Sequence, residues 1–166
     1  MPAEGRKVRA ESLRRKGILL PETLAPSWLR EPLVREYLNP AVETVHAAER
    51  FDKVMDAFLR TPLEHNRLYV VDQAGTYLGA ISLHEIKLFF RESEHLDPVI
   101  AIDLVDTSFP CVHASDPISR AIEILAERDA ERLPVLDGPD SRKLLGSISK
   151  RQLLSSYRSS ILARTG

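Results

Sequence analysis

The sequence predicts an α/β (α+β) fold: two copies of a β-α-β-β-α unit packed about a pseudo-twofold axis. Three observations carry this. A five-residue phrase occurs twice, Leu78-Gly79-Ala80-Ile81-Ser82 and Leu145-Gly146-Ser147-Ile148-Ser149, 67 positions apart. Val45-His46-Ala47 returns as Val112-His113-Ala114 at the same separation. Between these anchors an apolar stripe recurs at that offset. Phe51, Val54, Met55, Phe58 and Leu59 are matched by Ile118, Ala121, Ile122, Leu125 and Ala126, both spaced as one face of a helix. A three-stranded unit leaves apolar surface exposed, so repeats of this kind pack as stacked units.

Taken in order, residues 1–32 read as a basic, proline-rich connector. Arg6, Lys7, Arg9, Arg14, Arg15 and Lys16 stand against one acid, Glu11. Three readings are open for this run: a solvated tail, a juxtamembrane segment facing anionic headgroups, or a nucleic-acid arm, the last without aromatic interleaving to support it. Pro21, Pro26, Pro32 and Pro40 forbid a long helix and favour an extended strap. Leu20, Leu24, Trp28, Leu29 and Leu33 are too apolar for a free linker and are expected to pack on the domain C-terminal to them, Trp28 as an anchor.

The first repeat spans 33–95 and the second 96–161, with 162–166 as a tail. After each amphipathic helix comes a short strand, Leu68 to Asp72 and Leu133 to Asp137, closed by the turn signals Gln73-Ala74-Gly75-Thr76 and Gly138-Pro139-Asp140-Ser141. A further strand comes next, Tyr77 to Ser82 and Leu144 to Ser149, and each repeat ends in a helix, Leu83 to Arg91 and Lys150 to Ser159. Asp116-Pro117 reads as an N-cap and a first-turn proline for the second amphipathic helix.

Composition excludes several classes. The net charge of −1 gives no bulk argument for nucleic acid, and none is expected as a partner. A single cysteine, Cys111, cannot form an internal disulfide or a thiolate metal cluster. No apolar run reaches the roughly 20 residues of a membrane span, so the chain reads as soluble and cytoplasmic. His46, His65, His84, His95 and His113 include no pair at helical zinc-site spacing, and no metal site is expected. The equivalence of His46 and His113 argues for a structural role. With no nucleophile elbow, P-loop or dinucleotide fingerprint, no catalytic residue is nominated and no enzyme is expected.

Arg67-Leu68-Tyr69-Val70-Val71-Asp72 and Arg132-Leu133-Pro134-Val135-Leu136-Asp137, together with the two Leu-Gly-x-Ile-Ser junctions, resemble a tandem pair of cystathionine-β-synthase (CBS) domains, a Bateman module, over roughly Leu33 to Ile161. Glu11-Ser12-Leu13-Arg14-Arg15-Lys16-Gly17-Ile18 before a proline-broken strap, and Asp106-Thr107-Ser108-Phe109-Pro110-Cys111-Val112, are similar to the cytoplasmic C-terminal region of ClC-type chloride channels and transporters. That resemblance implies a regulatory and dimerisation module on the cytoplasmic face of the membrane. It would be joined to the membrane-embedded portion of the same polypeptide, pack as a homodimer and modulate anion transport. The alternative is a soluble adenine-nucleotide sensor regulating a separate enzyme or transporter. A third reading is a dimerisation module with both clefts empty.

The junction has chemistry of its own. A helix start carries unpaired N–H groups and the positive dipole end, which favour a phosphate. Gly79 and Gly146 mark positions where another group comes close. The family resemblance implies Ser82 and Ser149 for phosphate, and Val45, Val112, Val70 and Val135 for lining an adenine. In place of the family's ribose-binding Asp stand Glu85 and Gln152. Glutamate can still accept both ribose hydroxyls, so the first repeat is the expected site for ATP, ADP or AMP; glutamine accepts at one atom only. No cofactor is required, because Ser-x-x-Glu and Ser-x-x-Gln are also capping boxes that need no ligand.

Overall fold

The structure is a computed structural model that describes residues 31–62, 65–92 and 98–165. The basic run, the Glu11–Ile18 stretch, Trp28 and His95 lie outside the described residues. Pro32–Gly166 forms one compact unit holding both repeats. In chain order it contains β1 (Thr44–His46), α1 (Phe51–Arg60), β2 (Arg67–Val71), β3 (Tyr77–Ser82), α2 (Leu83–Glu92), β4 (Val112–His113), α3 (Ile118–Glu127), β5 (Arg132–Leu136), β6 (Leu144–Ser149) and α4 (Lys150–Thr165). A 3-10 turn precedes each repeat, at Val34–Glu36 and Ala101–Leu104.

Each repeat builds a three-stranded sheet, in the orders β1-β2-β3 and β4-β5-β6. The first pair of each sheet is parallel, with Val45 opposite Val70 and Val112 opposite Val135. The second pair is antiparallel, with Arg67 opposite Ser82 and Arg132 opposite Ser149. The pseudo-twofold axis passes where β3 meets β6. Thr76 bridges Lys143, Tyr77 N–H donates to the Arg142 carbonyl at 2.9 Å, and Leu144 N–H donates to the Gly75 carbonyl at 3.1 Å.

The repeats also exchange their lead-in segments. Residues 32–39 precede the first sheet yet bond to the second repeat. Ile118 N–H donates to the Pro32 carbonyl at 3.0 Å, Val34 N–H to Asp116 at 2.8 Å and Arg35 N–H to Ala114 at 3.0 Å. Asn39 and Ser147 exchange two backbone bonds at 2.9 Å. Shifted by 67 positions, the same bonds recur in reverse: Phe51 to Val99, Ala101 to Glu49, Ile102 to Ala47, and the pair Ala80–Asp106. Each lead-in thus supplies a carbonyl to the first unpaired N–H of the other repeat's amphipathic helix and covers the outer edge of its last strand.

Two apolar clusters match the repeats, and the exchange stitches them together. Val34, Tyr69, Tyr77 and Ala80 of the first repeat sit with Val112, Ile118, Leu125, Leu133, Ile148 and Leu153 of the second. Val99, Ala101 and Leu104 sit in turn with Val54, Phe58, Leu68, Ile81 and Ile86.

Local expectations need four corrections. Leu59 is 82% exposed and Ala126 is exposed, because the buried sector of each helix is turned toward Ala57 and Ile124. Asp116 does not cap α3. Pro117 holds the cap position, and the Asp116 carboxylate instead accepts from His113 N–H at 2.9 Å within the β4–α3 turn. β2 and β5 start and stop one residue early, and in the first of them Asp72 leaves the strand to accept from Ala74 and Thr76 N–H groups, both at 2.9 Å. Finally, α4 runs on to Thr165 because neither glycine nor proline interrupts it before Gly166.

Candidate functional site

Both junctions form where an antiparallel strand turns directly into a helix. In the first, Ser82 ends β3 and α2 begins at Leu83. Glu85 N–H donates to Ser82 Oγ at 3.1 Å, while Glu85 Oε2 accepts from Ser82 N–H at 3.0 Å and from Ser82 Oγ at 3.1 Å. The capping box is closed, and its carboxylate already occupies the positive end of the helix.

The second junction is more open and carries the opposite charge. Gln152 N–H donates to Ser149 Oγ at 3.1 Å, and among the described residues the serine's own hydroxyl hydrogen meets no acceptor. No acid stands in the first turn of α4, which begins with Lys150 and Arg151. Across the strand pair, Arg132 lies opposite Ser149 and donates from Nη1 to Ser147 Oγ at 3.0 Å, with its other arm against His65 Nε2. That bond satisfies Ser147, a fully buried hydroxyl. The counterpart in the first repeat, Arg67, instead lies over the Phe109 ring, 4.5 Å from its centroid.

The nominated glycines do receive a close neighbour, and it is backbone of this chain. A β-carbon at Gly79 would sit 2.5 Å from the Asp106 carbonyl oxygen and 2.7 Å from Val105 Cγ2. One at Gly146 would overlap the Asn39 carbonyl oxygen and lie 2.6 Å from Leu38 Cδ1. The notch in each phrase accommodates the other repeat's lead-in segment.

The four valines are core residues. Val70, Val112 and Val135 have no exposed surface and Val45 is 6% exposed, so they present almost nothing to a ligand. The strand register brings Val45 together with Val70 and Val112 with Val135; Val45 and Val70 lie in one apolar cluster, Val112 and Val135 in the other. A shallow groove of about 190 Å³ is lined by Thr44, Val45, His46, Glu49, Lys53, Asp56 and Arg60, and it includes neither serine. Its acids and bases offset one another. Tyr69 and Tyr77 pack edge to face at 6.1 Å, and burial holds both hydroxyls protonated well above the ordinary range. Among the described residues no three His, Cys, Asp or Glu side chains converge as metal ligands would. Nor is any helix among them long and apolar enough to cross a membrane.

Residue-by-residue carry-over passed over Arg132 and Lys150. Lys150 was visible in the sequence directly after Ser149, whereas the place of Arg132 opposite Ser149 comes from the strand register.

The family model described as CBS domain matches residues 34–92 and 100–159. No curated protein matches the chain by sequence. Among solved structures, CbpB in complex with c-di-AMP is similar with a TM-score of 0.69 at 18% identity, over 81% of this chain and 89% of that one. CBSX2 in complex with AMP is similar with a TM-score of 0.61 at 21% identity, over 76% and 96%. The cytosolic domain of the Mg2+ channel MgtE in complex with ATP has a TM-score of 0.60 at 18% identity, over 78% of this chain and 51% of that one.

Proposed function

The chain belongs to the CBS domain family, and on that premise we propose that it is a non-catalytic regulatory and assembly module responding to an adenine nucleotide at its second junction. One observation carries the choice of junction. The first-turn anion of α2, Glu85, already fills the position a phosphate would take, whereas the first turn of α4 begins with Lys150, has no acid and has a serine hydroxyl with a hydrogen to donate. This reverses the preference drawn from the glutamate's two oxygens alone. Ser149 and the α4 N–H groups meet the phosphate, Lys150 and Arg132 balance its charge, and Gln152 accepts from the ribose. The ligand class is supported by the c-di-AMP, AMP and ATP of the similar structures.

Titration calorimetry with ATP, ADP and AMP tests this. Binding heat is expected for the intact chain, lost in Ser149→Ala and Lys150→Glu and kept in Glu85→Ala. Heat that survives Lys150→Glu but vanishes in Glu85→Ala moves the site to the first junction. No heat with any nucleotide leaves assembly as the function.

In the cellular setting we propose, the module is the cytoplasmic part of a ClC-type chloride channel or transporter, paired with its twin. The Glu11–Ile18 and Asp106–Val112 stretches support the channel reading. Exposed apolar side chains on α2 (Leu83, Leu88, Phe90) and α4 (Leu154) support the pairing. The alternative, a soluble sensor regulating a separate enzyme or transporter, is supported by CBSX2 in complex with AMP, 96% of whose chain this one covers. The encoding gene upstream of residue 1 separates the two. Several hydrophobic spans there support the channel tail, and their absence removes it.

A further inference from the structure

We propose that residues 32–39 are a strap that reports the state of the second repeat to the chain ahead of it, bypassing the first repeat. By sequence the segment leads into β1, but its bonds go elsewhere. Its front end caps α3 through the Pro32 carbonyl, its middle pairs with Ala114 and Asp116, and its back end pairs with Ser147 on β6. Val34 is fully buried in the second repeat's cluster, and Leu38 fills the notch at Gly146. The strap therefore touches the start of α3 and the edge of β6, the strand that ends at Ser149 two residues beyond Ser147. Any change that shifts β6 against α3 alters the seat on which the strap lies. The matching segment, Val99 to Asp106, makes the same bonds to the first repeat. It differs in being bounded on both sides by the folded unit, so it joins the repeats and reports to neither flank. The segment after the strap, Pro40 to Glu43, is mostly exposed, and the strap's backbone hydrogen bonds among the described residues run within itself or to the second repeat. This inference rests on the fold and holds whether or not either junction takes a nucleotide.

Hydrogen exchange read by mass spectrometry on the full chain tests it, using a matched pair of core truncations. Leu153 on α4 and Ile86 on α2 are repeat-equivalent and are 1% and 3% exposed. In Leu153→Ala the amides of Val34, Arg35 and Asn39 should exchange about tenfold faster or more, while those of Ala101, Ile102 and Asp106 hold. Ile86→Ala should give the converse. Equal acceleration of the strap by both variants, or a strap that responds to Ile86→Ala alone, overturns the proposal. Should Leu153→Ala fail to fold, Gly146→Ala and Gly79→Ala supply the same comparison at the notches. Strap amides unmoved by Gly146→Ala, or moved as much by Gly79→Ala, overturn it equally.

Discussion

Replacing Gly146 by alanine should destabilise the protein for a reason that lies in the other repeat. The added β-carbon cannot coexist with the Asn39 carbonyl and Leu38 Cδ1, both held in place by the lead-in exchange. Two responses are open. The strap can lift, losing the two Asn39–Ser147 backbone bonds, each worth about 0.5–1.5 kcal/mol net. Alternatively the core can deform around the extra carbon at about 1–3 kcal/mol. Either route gives a loss of roughly 1–3 kcal/mol. Gly79→Ala meets the same obstruction and adds a backbone penalty, because Gly79 has φ of +154°; the conformational term alone is about 1–3 kcal/mol. Two internal controls bracket these values. Gly75 has φ of +83° but open space, so its alanine variant carries strain only, about 1–2 kcal/mol. Gly138 has open space and no unusual φ, and its variant should stay within about 0.5 kcal/mol of the parent. Urea titrations of all four at constant m-value should give Gly138 the smallest loss and Gly79 the largest, with Gly146 well above Gly138. If Gly146→Ala matches Gly138→Ala, the notch is not filled by the strap and the exchange of lead-ins is wrong.

Three further outcomes are expected. Glu85→Ala opens the reciprocal box at Ser82 and should cost about 1 kcal/mol, and Gln152→Ala should cost less; comparable losses in urea titrations would refute the difference between the junctions. Cys111 is half-buried and desolvation raises its thiol pKa, so at neutral pH it should react with a thiol reagent more slowly in the folded chain than in urea; equal rates would contradict the burial. The Asp72 carboxyl is held below its ordinary 3.8, first by Thr76 N–H. A depressed carboxylate stabilises the fold above the unfolded pKa, and that contribution fades as pH falls through the folded value. The stability gap between wild type and Asp72→Ala should therefore narrow on acidification below about pH 4, and a gap that ignores pH would refute the assignment.

The repeated architecture was legible because apolar spacing and the Leu-Gly-x-Ile-Ser phrase survive in both copies. The lead-in exchange was not, although it obeys the same 67-residue offset. Pro32 corresponds to Val99, Leu33 to Ile100, Glu36 to Asp103 and Asn39 to Asp106; the bonds that cross between the repeats are made by backbone groups, which side-chain identity does not encode. The glycines announced a close approach without saying whose. The valines could not be placed from the sequence for another reason. β2 and β5 run buried along nearly their whole length, so no alternation exists to show which side chains face a cleft. Asp116-Pro117 failed as a cap because only tertiary structure puts Pro32 there first. His46 and His113 share a backbone role, each accepting at its carbonyl from the N–H three residues on, Glu49 and Asp116.

The asymmetry between the junctions bears most directly on function. A nucleotide that binds the module acts by favouring one arrangement of the two repeats over another. The first turn of α2 obeys the helix dipole, with Glu85 at its positive end. The first turn of α4 holds no acid and begins with Lys150, where the dipole disfavours a cation by about 0.3–1 kcal/mol. Two copies of one fold therefore resolve the same local problem in opposite senses. The phosphate proposed at Ser149 would complement Lys150 at the start of α4, a role that Glu85 leaves no room for at the start of α2. In that proposal Lys150 and Arg132 face one phosphate at the end of β6, and β6 is one of the elements to which the 32–39 strap is fastened.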